Sequence, residues 1–308
     1  MAEKKGEFAL IDWIRKRSRF GKDVVVGTGD DAAAVRIGPK GTALLTTDTI
    51  LEGTHFTFRK VTPYQAGWKA IAAGVSDVAA MAGVPKYALA AVALPKDASM
   101  KFARQLYEGM RAAADRCAVG IIGGDVTSWR GKLAVTVSVL GEAAGRPVTR
   151  SGAKIGDAIF VTGELGGSML KRHVEFLPRI EEALALRRAV SLHAMIDVSD
   201  GLAADLHHVV EESAVGAVLY EAAIPVSEDA RRIARRGRAS AVEHALYDGE
   251  DFELLFTVSA KDARRLLAAP PFKTRLTCIG EIVRRGFYLK KKSGGRVRLK
   301  ASGYEHFK

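Results

Sequence analysis

The aspartates of this chain recur in a narrow set of contexts. In the first half they stand beside glycine, threonine or serine, in Gly29-Asp30-Asp31, Thr46-Thr47-Asp48, Ser76-Asp77 and Gly123-Gly124-Asp125. In the second half they return as Asp197-Val198-Ser199-Asp200-Gly201 and Asp248-Gly249-Glu250-Asp251-Phe252-Glu253. One aspartate next to a glycine is ordinarily a turn residue, because its carboxylate bonds nearby backbone and glycine tolerates positive φ. Recurrence at strand ends and helix boundaries predicts more. If those segments converge, they gather hard carboxylate and hydroxyl oxygens around one open space. That donor set suits Mg²⁺ shared with substrate phosphates, and it favours magnesium over zinc. The expected substrate is a polyanion. No Gly-x-x-x-x-Gly-Lys-Ser/Thr loop and no protein-kinase signature is present, so nucleotide chemistry here calls for a metal-rich scheme of another kind.

Hydrophobic periodicity says which elements must carry these motifs. A short helix over 8–15 precedes the loop at 27–31, and an apolar strand at 43–45 ends in Thr46-Thr47-Asp48. An alanine-rich helix is predicted over 63–82, a strand over 87–94 closed by Pro95, and a helix over 100–117. A buried strand at 119–122 and an alternating strand at 133–140 complete an α/β half. The Gly-, Arg- and Ala-rich stretch 141–156 is the candidate junction, which divides the chain into domains 1–142 and 143–308. Beyond it come a strand at 158–161, a glycine-rich turn at 163–167 and two helical stretches. A strand then leads into the Asp197 motif, and another follows the acidic turn at 251–258. There is no solenoid period and no low-complexity segment.

Composition narrows the class. A length of 308 residues allows two domains, and 48% hydrophobic with 27% charged residues is ordinary for a soluble globular protein. A disordered, collagen-like or disulfide-stapled chain is excluded. The apolar runs are too short to span a bilayer and no signal-peptide pattern opens the chain, so a cytoplasmic protein is expected. Cys117 and Cys278 lie far apart and are expected to be small core residues. The net charge of +12 raises a nucleic-acid hypothesis. Its excess is concentrated in Arg231-Arg232, Arg235-Arg236-Gly237-Arg238 and Lys290-Lys291-Lys292, which are read as solvated surface. The chain has no Asn and only two Gln, Gln65 and Gln105. That depletion is expected at high growth temperature, and a GC-rich genome produces a similar bias.

The ordered motifs closely resemble thiamine-monophosphate kinase. Those that carry the resemblance are Gly27-Thr28-Gly29-Asp30-Asp31-Ala32-Ala33, Thr46-Thr47-Asp48-Thr49 with Glu52-Gly53-Thr54-His55-Phe56, and Ser76-Asp77-Val78-Ala79-Ala80-Met81. They continue through Gly123-Gly124-Asp125, Thr149-Arg150-Ser151-Gly152-Ala153, Asp197-Val198-Ser199-Asp200-Gly201-Leu202 and Gly249-Glu250-Asp251-Phe252-Glu253-Leu254. From the Gly6-Glu7-Phe8 entry to the terminal Gly303-Tyr304-Glu305-His306-Phe307 they cover nearly the whole chain. The chain departs from the family at Gly74, where Asn is usual, and at Asp248, where Gly is common.

The resemblance implies the fold of aminoimidazole-ribonucleotide synthetase and selenophosphate synthetase. That is an N-terminal α/β domain that binds ATP and dimerises through its sheet, followed by an α+β C-terminal domain. It implies the reaction of ATP with thiamine monophosphate to give thiamine diphosphate and ADP. Carried over residue by residue, it implies Mg²⁺ at Asp31, Thr46, Thr47, Asp48, Asp77, Asp125, Asp197 and Asp200, with Asp30 a neighbour. ATP contacts are implied at Thr47, Tyr107, Gly124, Asp125, Arg150 and Ser199. Thiamine-phosphate contacts are implied at His55, Glu250 and Tyr304, and Asp48, Asp125, Arg150 and Asp200 are the expected catalytic set. Each has a plainer alternative: His55 as a satisfied loop histidine, Tyr304 as an aromatic anchor of the tail, Glu250 as a solvated turn acid. His207-His208 are read as helix surface or packing.

Chemistry agrees with the implied reaction. A phosphate monoester is already ionised at neutral pH, so a general base is unnecessary and direct in-line transfer is expected. Arg150 would add a fixed cationic fork. The alternatives are another ATP-using enzyme of the same superfamily, a basic nucleic-acid binder, and a non-catalytic nucleotide binder. A selenophosphate-type enzyme calls for a reactive Cys near the N-terminal glycine-rich segment, and none precedes Cys117.

Overall fold

The computed structural model describes residues 7–39 and 41–304. Gly6 and Glu305-His306-Phe307 of the motifs above lie outside the described residues.

The first half builds a six-stranded sheet. Helix α1 (Glu7–Arg17) precedes β1 (Val24–Val26), β2 (Ala33–Ile37) and β3 (Gly41–Leu51). Then follow α2 (Pro63–Ala80), β4 (Gly83–Pro95), α3 (Met100–Arg116), β5 (Gly120–Trp129) and β6 (Ala134–Ala143). The strand order is β1-β2-β3-β6-β4-β5. β4 and β5 are parallel, and α3 supplies the crossover that a parallel pair requires. Along β6, Val135, Val137 and Val139 are buried while the residues between them are half-buried, the period of two expected of a strand with one covered face.

Helix α2 is the hub. Thr62 accepts from the Gln65 N–H while the Gln65 side chain accepts from the Thr62 N–H, and Pro63 occupies the first helical position. The helix is buried nearly all round because it packs on the sheet, on α3 and against the second half. Glycines make the approach possible. A Cβ on Gly67 would stand 2.0 Å from the Leu106 carbonyl oxygen, and one on Gly109 of α3 only 1.8 Å from that of Tyr64.

The second half contains β7 (Ala158–Thr162), 3₁₀ turns at Ser168–Leu170 and Arg172–Val174, and α4 (Ile180–Ala189). It continues with β8 (Leu192–Asp197), α5 (Leu202–Glu212), β9 (Gly216–Tyr220), α6 (Glu228–Ala234), α7 (Ala241–Tyr247) and β10 (Leu254–Val258). Helix α8 (Ala260–Ala268), β11 (Leu276–Val283), β12 (Phe287–Lys290) and β13 (Arg296–Arg298) end it. Its seven strands run β13-β12-β9-β11-β7-β10-β8, and Phe160 stacks on Phe256 with ring centroids 5.5 Å apart. Ala80 and Ala82 from the first half join that same cluster, so the two halves share an apolar seam. Residues 144–157 between β6 and β7 carry no helix or strand.

Several expectations are corrected. Thr46, Thr47 and Asp48 do not end a strand; β3 continues to Leu51 because β6 pairs with it along 43–51. Asp77 lies inside α2, and Gly123-Gly124-Asp125 lies inside β5. Of the four acidic motifs in the first half, only Gly29-Asp30-Asp31 is a loop. The segment predicted as a buried strand at 119–122 begins an edge strand instead: Val119 is buried, but Ile122 is 63% exposed because, among the described residues, β5 has β4 as its one neighbour. Both cysteines are half-buried at the margins of the cores. The arginines at 231–238 are exposed, with Arg232 paired to Asp229 and Arg235 to Glu228.

Candidate active site

Three carboxylates from three separate elements meet where the halves join. Oxygens of Asp31, in the loop before β2, Asp77 on α2 and Asp197 at the end of β8 lie within 4.8 Å of one another. The period of two puts Thr46 and Asp48 on the α2 face of β3, and Thr46 Oγ1 donates to Asp77 Oδ2 at 2.6 Å. Ser76 Oγ donates to Asp197 Oδ2 at 2.5 Å. Burial, then the charge of Asp31, pushes the Asp197 carboxyl up to about 7. Asp77 is raised well above the carboxylate range by burial and by the charges of Asp197, Asp48 and Asp31. Among the described residues, Asp31 Oδ2 is buried without a hydrogen-bond partner. Like charges so placed cannot all ionise unless a cation joins them.

One cation already reaches the edge of this cluster. Arg150 Nη2 donates to Asp31 Oδ1 at 2.7 Å, and the Arg150 N–H donates to Asp30. Burial works against the guanidinium, but its pairing with Asp31 and Asp30 outweighs that and moves it up. Burial and the Asp31 charge carry Asp30 to about 7. Arg150, in the segment without regular structure, thereby ties the second half to the Gly29-Asp30-Asp31 loop.

Above the carboxylates opens a cleft of about 330 Å³, lined by Asp31, Thr46, Thr47, Asp48, Asp77, Arg150, Ser199 and Asp200 with His55, Glu250 and Tyr304. Loops 197–201 and 248–253 are zipped together: Glu250 N–H donates to Ser199 O at 2.7 Å, and the Asp251 and Phe252 N–H groups share Val198 O. Glycine is required at 249, where φ is +71° and a Cβ would meet Ser199 O at 2.6 Å. Tyr304 N–H donates to Asp200 O at 3.0 Å, which brings its ring within 6.4 Å of the His55 ring. His55 Nδ1 accepts from Leu51 N–H, so in the neutral ring Nε2 carries the proton.

Three candidates stand elsewhere. Asp125 lies opposite Ala91, in the row that runs through Thr136 to Thr49, on the sheet face opposite Asp48. Three strand spacings, about 14 Å, separate Gly124 from Asp48. Gly124 also has a packing reason, since a Cβ there would meet Ala90 O at 1.9 Å. Tyr107 is exposed on α3. Thr47 lines the cleft but shares the outer face, where it accepts from Ser138 Oγ.

Family models for AIR synthase related proteins match residues 29–143 with their N-terminal domain and 154–290 with their C-terminal domain. The thiamine-monophosphate kinase of Rhodopirellula baltica is 37% identical over 97% of each chain, and that of Bacillus subtilis 33% identical over 98% of this chain and 99% of its own. The chain belongs to the thiamine-monophosphate kinase family. A solved structure of AaThiL complexed with AMPPCP and TMP superposes with a TM-score of 0.84 at 31% identity, covering 98% of this chain and 97% of that one. The hydrogenase maturation protein HypE of E. coli, 20% identical with a TM-score of 0.73, shares the fold.

In this member of the family the two motif departures have local explanations. Asp248 ends α7 at φ −70°, where any residue fits, and its carboxylate accepts from Gly167 N–H and meets His244. Gly74 faces the sheet, where a Cβ would stand 3.0 Å from Val139. Residues that sequence reasoning passed over also belong here. Asp205 Oδ2 accepts from the Asp200 and Gly201 N–H groups, and His208 stands within 4.8 Å of both Asp200 and Asp205. Arg172 bonds Asp251 and Arg179 bonds Glu253, two acids of loop 248–253. Lys69 of α2, which is buried and lines the cleft, was passed over as well, and a lysine within an alanine-rich helix was the available signal.

Proposed function

We propose that this protein transfers the γ-phosphoryl group of ATP to the phosphate of thiamine monophosphate, forming thiamine diphosphate and ADP. The observation that carries this reading is the Asp31, Asp77 and Asp197 cluster on the floor of a cleft whose rim holds His55, Glu250 and Tyr304. Membership of the family, and a relative described with an ATP analogue and TMP, support it.

The floor suits Mg²⁺: its donors are all oxygen and anionic, and one buried oxygen has no partner among the described residues. Asp31, Thr46, Thr47, Asp48, Asp77, Asp197 and Asp200 are the residues proposed to hold it, and Asp125, on the outer sheet face of its own chain, is proposed to reach it only from the second copy of a homodimer. Bound there, Mg²⁺ supplies neutralisation for two polyanions drawn together. Thr47, Tyr107, Gly124, Asp125, Arg150 and Ser199 are assigned to ATP, with His55, Glu250 and Tyr304 on the acceptor side. The thiazolium and pyrimidine suit the Tyr304 face, and the pyrimidine amino group suits the Glu250 carboxylate.

A phosphate monoester carries about −1.5 to −2 charge at neutral pH, so the attacking oxygen arrives ionised. The bond from that oxygen to the γ-phosphorus forms as the bond to the β,γ-bridging oxygen breaks, and the electron pair leaves on ADP. No side chain accepts a proton and no phosphoenzyme forms. Asp48, Asp125, Arg150 and Asp200 align and neutralise.

The outer face of the first sheet exposes Leu45, Tyr87 and Leu89, and beside them the β5 edge exposes Ile122. We propose that a second copy covers this surface in a homodimer, on the side that carries Thr47 and Asp125. Sedimentation should give twice the chain mass. We further propose a cytoplasmic enzyme working at high temperature; among the described residues no helix is long and apolar enough to cross a membrane.

The test is to mix protein, ATP, Mg²⁺ and thiamine monophosphate at elevated temperature and separate the products. Thiamine diphosphate should form and should vanish with Asp48→Asn. Folded, ATP-binding protein that forms none would overturn the acceptor assignment.

A further inference from the structure

Among the described residues, Lys69 is the one lysine in the buried set, 1% exposed on the second turn of α2. Its Nζ donates to Glu250 Oε2 at 2.5 Å, to His173 Nδ1 at 3.1 Å and to the His55 carbonyl oxygen at 3.2 Å. An ammonium has three donors, and these three acceptors come from the loop after β3, the 3₁₀ turn at Arg172–Val174 and loop 248–253. His173 is suited to accept, because burial and the Lys69 charge hold its pKa at about 3 and leave it neutral. Burial draws the lysine down, while Glu250 and Asp48 act in the opposite direction.

The carboxylate that Lys69 grips belongs to a residue in an uncommon backbone state. Glu250 has φ +59° and Phe252 has φ +50°, values that surrounding contacts must enforce on residues other than glycine. Asp251 and Glu253 are held by Arg172 and Arg179, from the same short stretch that supplies His173. Glu250 alone in this loop is paired across the domain seam, to a lysine of the first half. The same ammonium fixes the backbone of His55. Lys69 therefore joins two residues of the acceptor side to one point inside α2.

We propose that Lys69 is a positioning residue that sets affinity for the acceptor, by holding the Glu250 carboxylate and the His55 backbone toward an amino-pyrimidine cation, and leaves ATP affinity alone. This rests on the assignment of the cleft to thiamine monophosphate. With its donors occupied within the protein, the lysine acts through Glu250 and His55.

The experiment is steady-state kinetics of the full chain with Mg²⁺, varying each substrate in turn, for wild type, Lys69→Met, Lys69→Arg, Glu250→Gln and the Lys69→Met/Glu250→Gln double variant. Lys69→Met should raise KM for thiamine monophosphate about 10-fold or more and move KM for ATP less than about twofold. The double variant should rise little beyond Glu250→Gln, because both remove one coupled pair. Lys69→Arg should recover part of the loss. Should Lys69→Met fail to fold, His173→Gln, which lies outside the cleft lining, is read the same way and should raise the same KM about threefold. Equal KM values with a lower kcat, the mark of a merely structural lysine, would overturn the assignment. So would additive effects in the double variant. Wild-type protein that forms no thiamine diphosphate would instead overturn the underlying acceptor reading, and this inference with it.

Discussion

Ser76 on α2 and Asp197 at the end of β8 are joined by a 2.5 Å hydrogen bond, although 121 residues separate them in sequence. The next residue, Asp77, is bonded by Thr46 of β3. Two adjacent side chains on one helix therefore reach two different sheets, and that brings carboxylates from both halves to one point.

Crowded carboxylates repel until a cation neutralises them. Asp77→Asn should raise the melting temperature in chelator, because it removes buried like charge, while cutting turnover by on the order of 100-fold and raising the Mg²⁺ needed for half-maximal activity. Differential scanning calorimetry with and without EDTA, beside a Mg²⁺ titration of activity, checks both signs. A variant less stable in EDTA than wild type would count against the cluster.

The buried His173 makes stability depend on acid. Its folded pKa of about 3 lies below the ordinary 6.5, so the folded state binds fewer protons than the unfolded chain. Its contribution is fully present above 6.5 and is lost as pH falls toward about 3. The slope in that window reaches at most about 1.4 kcal/mol per pH unit. Urea unfolding of wild type and His173→Gln from pH 4.5 to 7.5 should show a shallower acid limb in the variant.

Arg150 clasps the Gly29-Asp30-Asp31 loop with both its guanidinium and its backbone. Lysine keeps the charge but loses the planar fork. Arg150→Lys should lower kcat/KM for ATP by about 10-fold or more, with a smaller effect on the acceptor. Initial rates at fixed, saturating acceptor would show it, and an unchanged ATP dependence would remove Arg150 from the nucleotide side.

The crossing of α2 and α3 leaves no room at Gly109, where a Cβ would sit 1.8 Å from Tyr64 O. Gly109→Ala should destabilise by about 3 kcal/mol or more through forced separation of the helices. Gly237→Ala, whose Cβ would meet nothing nearer than 3.5 Å, is the control expected to stay near wild type. Melting temperatures of the two variants decide it.

Much of the site was legible because chemistry leaves residue types behind. Asp31, Asp77 and Asp197 stand out in sequence as acids beside glycine, serine and apolar runs, and their types announce a hard cation. The helix over α2 and the alternation of β6 follow from periodicity, which needs no partner. The placing of Thr46, Thr47 and Asp48 at a strand end failed for a physical reason: polar residues inside a strand look like a terminus until the pairing with β6 is known. Lys69 was passed over because its partners His173 and Glu250 lie 104 and 181 residues away. The exposure of β5 was missed because apolar residues at an edge read like those of a core strand.

By itself the sequence determined the donor chemistry, the family, and several of the helices and strands, α2, α3 and β6 among them, since those depend on residue type and local spacing. Tertiary structure alone decided which acids share a site. Pairing order and the burial of α2 put Asp48 on the inner face of the sheet, sent Asp125 to the outer face, and set Lys69 under Glu250. Those outcomes depend on long-range contacts whose register no local pattern encodes.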